Sequence, residues 1–274
     1  MGGADAEWRF AEGETMLREE WRLFWLAVTY FTRLPAPRAL ALGEVPPERA
    51  IRYFPLAGAL AALPATALLA AAAQCWSPWI AAVLALAALA WLTGALHEDG
   101  LADTFDGLGG GRDAASRLAI MRDSRLGSFG ALALVLTLLL KAAALAQLLA
   151  QDVLHAALLW LAVQAVSRAL AAVVMLALPY AREAQVAGKV TALAQSLRRA
   201  DGGCALIAGG LFWVLLAVLT GPWRALVALV LLAAMWALWV RVLRARLGGY
   251  TGDTLGAAQQ LAETALLLVL AAGR

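Results

Sequence analysis

Between His97 and Gly111 the chain reads HEDGLADTFDGLGGG, with the four carboxylates Glu98, Asp99, Asp103 and Asp106 set between segments made almost wholly of Ala, Leu, Val and Trp. Acid beside sequence of that kind is costly, and something must compensate it. If the stretch continues a spanning helix, about 100° per residue puts Asp99, Asp103 and Asp106 at roughly 0°, 40° and 340°, on one face. Carboxylates sharing a face do not stay ionised together without cations. An oxygen-only ligand set suits Mg²⁺, which takes one or two carboxylates plus substrate phosphates. The implied ligand is a magnesium-bound diphosphate, and the competing reading is a solvated acidic loop. Glu98 points to another face.

Gly107, Gly109, Gly110 and Gly111 follow, and backbone without side chains lets a phosphate approach main-chain N–H groups. A flexible exit turn explains them equally well, and the G-x-x-x-x-G-K-[ST] pattern is absent. Then come Arg112, Arg117, Arg122 and Arg125. Arginine forks suit phosphate oxygens, although membrane topology alone also concentrates basic residues on one side. Gly109, Gly110, Arg122, Arg125 and Ser128 form the candidate phosphate-binding set. Far along the chain, Asp253 stands in GGYTGDTLGA before the last apolar run. It either caps that helix or adds a carboxylate to the same site. Lys141 and Arg168 lie well inside apolar segments, where a charge costs roughly 2.5–3.5 kcal/mol, so both should face protein or a wet cavity. Snorkelling is the alternative for Lys141. His97 is a candidate proton carrier or an interfacial polar residue, and His155 is read as structural. With only these two histidines and no H-E-x-x-H, no zinc site is expected.

The elements that must position these residues are membrane helices. The 274 residues are 63% hydrophobic and 15% charged, against roughly 45–50% and ~25% in a soluble domain. The reading is an all-α polytopic bundle with six to seven transmembrane helices and an N-terminal interfacial helix. Residues 1–17 are expected to be a disordered tail and 18–274 a single membrane-embedded domain. The polar N-terminus offers no cleavable signal pattern. From Trp21 a helical apolar pattern runs only to Arg33 and Pro35, too short to span. Spans are expected at about 54–76, 79–96, 130–150, 153–178, 205–220, 225–240 and 255–272, judged by a window of ~17–25 residues. Of the 22 Lys and Arg, seven precede residue 53, four fall in 97–129, four in 179–203 and three in 241–255. The positive-inside rule then puts the N-terminus, the HEDG stretch and the GDTLG stretch in the cytoplasm. Cys75 and Cys204 would lie on opposite sides and form neither a disulfide nor a metal pair. The charge of +3 carries no basic face, so nucleic acid is not an expected partner.

Taken in order, FTRLPAP (31–37), YFPLAG (53–58), HEDGLADTFDGLGG (97–110), IMRDSRLGSFG (120–130), AVSRAL (165–170) and GGYTGDTLGA (248–257) closely resemble the cobalamin synthase family. That family is also named adenosylcobinamide-GDP ribazoletransferase, and the resemblance runs from about residue 21 to the C-terminus. It implies a Mg²⁺-dependent, multi-pass enzyme of the inner membrane with cytoplasmic active-site loops. Its substrates would be adenosylcobinamide-GDP and α-ribazole or its 5′-phosphate, and its products adenosylcobalamin or its 5′-phosphate and GMP. Whether it forms a homo-oligomer is left open. On this reading Asp99, Asp103, Asp106 and Asp253 hold the metal, Arg122, Arg125 and Arg168 neutralise phosphoryl charge, and Asp103 or His97 takes the ribazole hydroxyl proton.

Two rivals use the same acids differently. A CDP-alcohol phosphotransferase or prenyltransferase also pairs aspartates with diphosphates, but D-G-x-x-A-R and a later aspartate pair are missing. A transporter would place its polar residues near the midplane between repeated halves, whereas these acids cluster at one interface and no repeat is visible.

Overall fold

The computed structural model describes residues 4–38, 40, 47–181 and 199–272. Helix α1 (Ala4–Phe31) leads into a 3₁₀ turn (Pro47–Tyr53). Then come α2 (Phe54–Ala72), α3 (Pro78–Thr93), α4 (Leu96–Gly110), a short α5 (Ala114–Ile120), α6 (Ser128–Leu149) and α7 (Val153–Ala177). After the segment 182–198, which lies outside the described residues, follow α8 (Arg199–Thr220), α9 (Pro222–Leu247) and α10 (Gly252–Ala271). Six of these helices are long and apolar enough to cross a bilayer, and α3 with α4 would make a seventh if the bent pair counts as one span. The protein is therefore a multi-pass helical membrane bundle, as the hydropathy pattern predicts.

Helix ends follow local chemistry. Pro78 and Pro222 open α3 and α9, where the missing N–H costs nothing. Asp152 caps α7 by accepting from the His155 N–H at 2.6 Å. Helix α9 outruns its expected end at residue 240 because Arg241, Arg244 and Arg246 extend it past the apolar run. Cations suit a helix C-terminus and can snorkel to the headgroups. The expected tail at residues 1–17 is instead helical from Ala4, a stretch rich in Ala, Glu, Arg, Met and Leu, all good helix formers. Helix α1 is fastened by its acids: Glu19 pairs with Arg49, and Glu20 pairs with Arg52 at 2.6 Å and accepts from the Tyr53 hydroxyl at 2.8 Å. Arg52 also pairs with the buried Asp201 of α8.

One expectation is corrected. The acidic stretch does not continue the second spanning helix: α3 stops at Gly94, and α4 leaves at 89° to it. Gly94 at φ 67° is an ordinary left-handed helix stop. Ala95 at φ 56° repeats that conformation with a Cβ, at a cost of about 1–2 kcal/mol. The corner is held by Arg33, whose N–H donates to the Leu92 carbonyl at 2.9 Å and whose Nε lies 2.9 Å from where a Gly94 Cβ would be.

Helix α4 is thereby wedged between α10 and α6 through glycines. A Cβ on Gly100 would sit 2.8 Å from the Asp253 carbonyl oxygen, one on Gly256 would sit 3.3 Å from His97 Cα, and one on Gly130 would sit 2.8 Å from the Ala102 carbonyl. The bundle's apolar core lies around Leu69, Leu145, Trp160 and Leu266. A second cluster, around Val28, Phe31, Phe54, Met175 and Leu243, sits against α1. A short backbone pairing of Pro179 and Ala181 with Tyr250 ties the end of α7 to the start of α10.

Candidate active site

A cavity of about 110 Å³ opens where α1, α2, α4, α7 and α10 meet. Its aromatic wall is Tyr30, Phe31 and Phe54; its polar wall is His97 and Asp99 from α4, Arg168 from α7, and Asp253 and Gln259 from α10. Five separate blocks of the sequence thus converge. Phe31 links two of them: its ring stacks on His97 with centroids 5.5 Å apart, and the Arg168 guanidinium lies 5.6 Å from its centre. Gly58 clears space for Arg168, because a Cβ there would collide with Arg168 Cδ. The Tyr30 phenol is held above its ordinary value, first by desolvation and then by Tyr180 and Asp253.

Three buried polar atoms on this wall have no protein partner: His97 Nε2, Arg168 Nε and Gln259 Oε1. Their residues are 4%, 1% and 1% exposed. Buried polar groups are almost always hydrogen-bonded, and these three exceptions belong to residues that line one cavity.

The predicted residues divide. Asp99, Asp253, His97 and Arg168 are brought together. Asp253 is not the cap of α10: Thr251 caps it in a reciprocal box with Thr254, leaving Asp253 in the first turn. Asp103 lies one turn beyond Asp99, half-buried and outside the cavity wall. Asp106 does something else. Its two oxygens accept the N–H groups of Gly127 at 2.7 Å and Gly130 at 2.8 Å, so it caps α6 from the neighbouring helix. Shared helical spacing put Asp106 in the metal set, but the orphan donors of α6 claim it.

The phosphate set sits elsewhere. Gly110, Arg125 and Ser128 line an open cleft with Asp106 and Asp123, at the far end of α4, roughly 16 Å from Asp99 by helix rise. Arg125 is engaged by Asp123, whose carboxyl it holds down to about 2. Gly109 serves packing, since a Cβ there would meet the Phe129 ring at 2.6 Å. Arg122 is exposed and lines neither space.

Behind the cavity lies a polar layer of which sequence reading named Lys141 and Glu98 but not their partners Gln260 and Glu263. Lys141 and Glu263, each 1% exposed, pair at 2.9 Å. Lys141 also donates to Gln260 Oε1 at 2.6 Å, and Gln260 Nε2 donates to Glu98 at 3.0 Å. Lys141 is therefore buried in protein and does not snorkel. The signal was present: Gln259, Gln260 and Glu263 break the apolar pattern of the last span at i, i+1 and i+4. Among the described residues, no group of three or more His, Cys, Asp or Glu is arranged to hold a metal by itself.

Fold and site together define a multi-pass helical membrane protein with a cavity lined by two acids, an arginine and a histidine. The chain belongs to the CobS family: the family model described as cobalamin-5-phosphate synthase matches residues 23–271. Similar proteins named adenosylcobinamide-GDP ribazoletransferase include one from Ralstonia nicotianae, 44% identical over 93% of this chain and 97% of the relative. Those from Leptothrix cholodnii, at 45% over 94% and 97%, and Shewanella oneidensis, at 41% over 92% and 96%, carry the same name. No solved structure matches.

Proposed function

We propose that this chain is an adenosylcobinamide-GDP ribazoletransferase, joining adenosylcobinamide-GDP to α-ribazole or its 5′-phosphate and releasing GMP. The observation that carries the reading is the meeting of Asp99, His97, Arg168 and Asp253 at one cavity with three unpartnered polar atoms, in a chain of this family. A ribose hydroxyl oxygen forms a bond to the cobinamide-side phosphorus, the bridging P–O bond breaks, and GMP leaves with the electron pair. The hydroxyl proton passes to His97, a cavity-lining residue whose Nε2 has no protein hydrogen-bond partner, whereas Asp103 stands outside the wall. Arg168 neutralises charge on the phosphoryl oxygens in a site shielded from water.

Asp99 and Asp253, on one cavity wall, are the donor set that suits Mg²⁺, an ion that completes its shell with substrate phosphates and water. When bound, Mg²⁺ would neutralise diphosphate charge. Arg125 and Ser128, which line the cleft at the far end of α4, would meet the nucleotide end of a substrate long enough to run along that helix. The concentration of Lys and Arg in alternate connections supports a cytoplasmic cavity mouth, and the family resemblance supports the inner membrane.

The test is GMP release in liposomes from adenosylcobinamide-GDP and α-ribazole, with Mg²⁺ or EDTA. Release should require Mg²⁺ and fall on the order of 100-fold or more in Asp99→Asn and Asp253→Asn, with a smaller loss in Asp103→Asn. Turnover in EDTA, or wild-type rates in both cavity variants, would overturn the assignment.

A further inference from the structure

We propose that Glu263, which does not touch the cavity, is a positioning residue that sets the polarity of its wall; this rests on the function proposed above. One carboxylate oxygen of Glu263 accepts from Gln164 Nε2 at 2.6 Å, and the other accepts from Gln259 Nε2 at 2.9 Å and from Lys141. A carboxylate only accepts, so both amides must turn their nitrogens toward it. The orientation of each amide oxygen then follows. Gln164 Oε1 faces Arg168, whose guanidinium donates to it at 2.7 Å. Arg168 can only donate, which fixes Gln164 from both ends. Gln259 Nε2 is further held by Ser167 Oγ at 3.1 Å, leaving Oε1 of this cavity-lining residue as the acceptor without a protein partner.

Glu263 therefore decides two properties of the site through two glutamines: where the Arg168 cation stands, and that residue 259 offers an acceptor to a ligand hydroxyl. Lys141 balances Glu263, so the layer remains neutral as a pair. An amide at 263 presents one donor and one acceptor. One of the two glutamines must then flip, either releasing Arg168 or turning an N–H into the cavity.

The test separates chemistry from shape. Glu263→Gln keeps the size and changes the acceptor, while Glu263→Asp shortens the chain and keeps the acceptor. The expectation is that Glu263→Asp retains kcat for GMP release within about tenfold of wild type, while Glu263→Gln loses about a hundredfold. A packing role predicts the reverse order. Because an uncompensated Lys141 can prevent folding, Lys141→Gln/Glu263→Gln is run beside them; it should insert and melt like the wild type yet stay about a hundredfold slow. Wild-type kcat and KM in that double variant, or Glu263→Gln outperforming Glu263→Asp, would overturn the proposal. If the wild type itself releases no GMP, the functional reading falls. The positioning is then read without turnover, from a solid-state NMR distance between labelled Gln259 Nε2 and the Glu263 carboxyl carbon. Direct N–H···O contact supports it, and a flipped amide overturns it.

Discussion

Gly100→Ala tests the geometry of the site without touching any chemical group. The added Cβ would lie 2.8 Å from the Asp253 carbonyl oxygen, 3.1 Å from its Cα and 3.3 Å from its carbonyl carbon. All three are backbone atoms, and ordinary van der Waals contact starts near 3.4 Å. The N-terminal turn of α10 must therefore retreat from α4 by roughly half an ångström or more, and overpacking of this kind costs about 1–3 kcal/mol. Alanine returns about 0.5–1 kcal/mol of helix propensity. The net loss, about 0–2.5 kcal/mol, leaves a folded protein. Function should suffer far more, because Asp253, which lines the cavity with Asp99, rides on the displaced backbone, and misplacement approaching 1 Å costs on the order of 100-fold. The assay is GMP release in liposomes alongside thermal melting in detergent, with Gly210→Ala as control, since a Cβ there meets nothing within 4 Å. Wild-type turnover by Gly100→Ala would refute the argument that the α4–α10 spacing sets the site.

Further outcomes are expected from single changes. Asp106→Ala should lower stability by about 1–3 kcal/mol by orphaning the Gly127 and Gly130 N–H groups. It should leave the Mg²⁺ dependence of GMP release unchanged, and a raised Mg²⁺ requirement would restore Asp106 to the metal set. Arg125→Ala should let the Asp123 carboxyl return from about 2 toward its ordinary 3.8. Because its folded value is depressed, any stability from that pair is complete above pH ~4 and fades as pH falls toward 2. Melting curves of the two proteins should therefore converge on acidification; divergence toward low pH would sink the pairing. Phe31→Leu removes the ring against His97 and Arg168, and should weaken turnover while melting shifts by under ~2 kcal/mol. Unchanged kinetics would mean the ring only fills space.

Much of this was legible without coordinates. Apolar runs bounded by proline, glycine and basic residues give the spans, because a bilayer demands long uncharged helices. The family follows from the ordered motifs, and burial of Lys141 and Arg168 from the cost of charge in lipid. Asp99 was chosen for its position in an acidic stretch, and it reached the cavity. Asp106 was chosen on the same spacing and did not, because spacing along one helix cannot reveal that another helix's N-terminus lies against it. Gly109 was read as either a phosphate cradle or a flexible turn, and the structure seats the Phe129 ring against it. Glu263 and Gln259 were passed over because polar residues in a span declare a need for partners without naming them.

Sequence by itself determined the solvent, the rough bounds of the apolar spans, and which residue types had to be compensated, since these depend on composition and short-range periodicity. Only tertiary structure decided the compensation. The 89° corner at Gly94 and Ala95 turned α4 against α10 and α6, and residues more than 150 positions apart, His97 with Gly256 and Glu98 with Gln260, became neighbours. Partner choice among buried polar groups is a property of three-dimensional proximity, which no local pattern encodes.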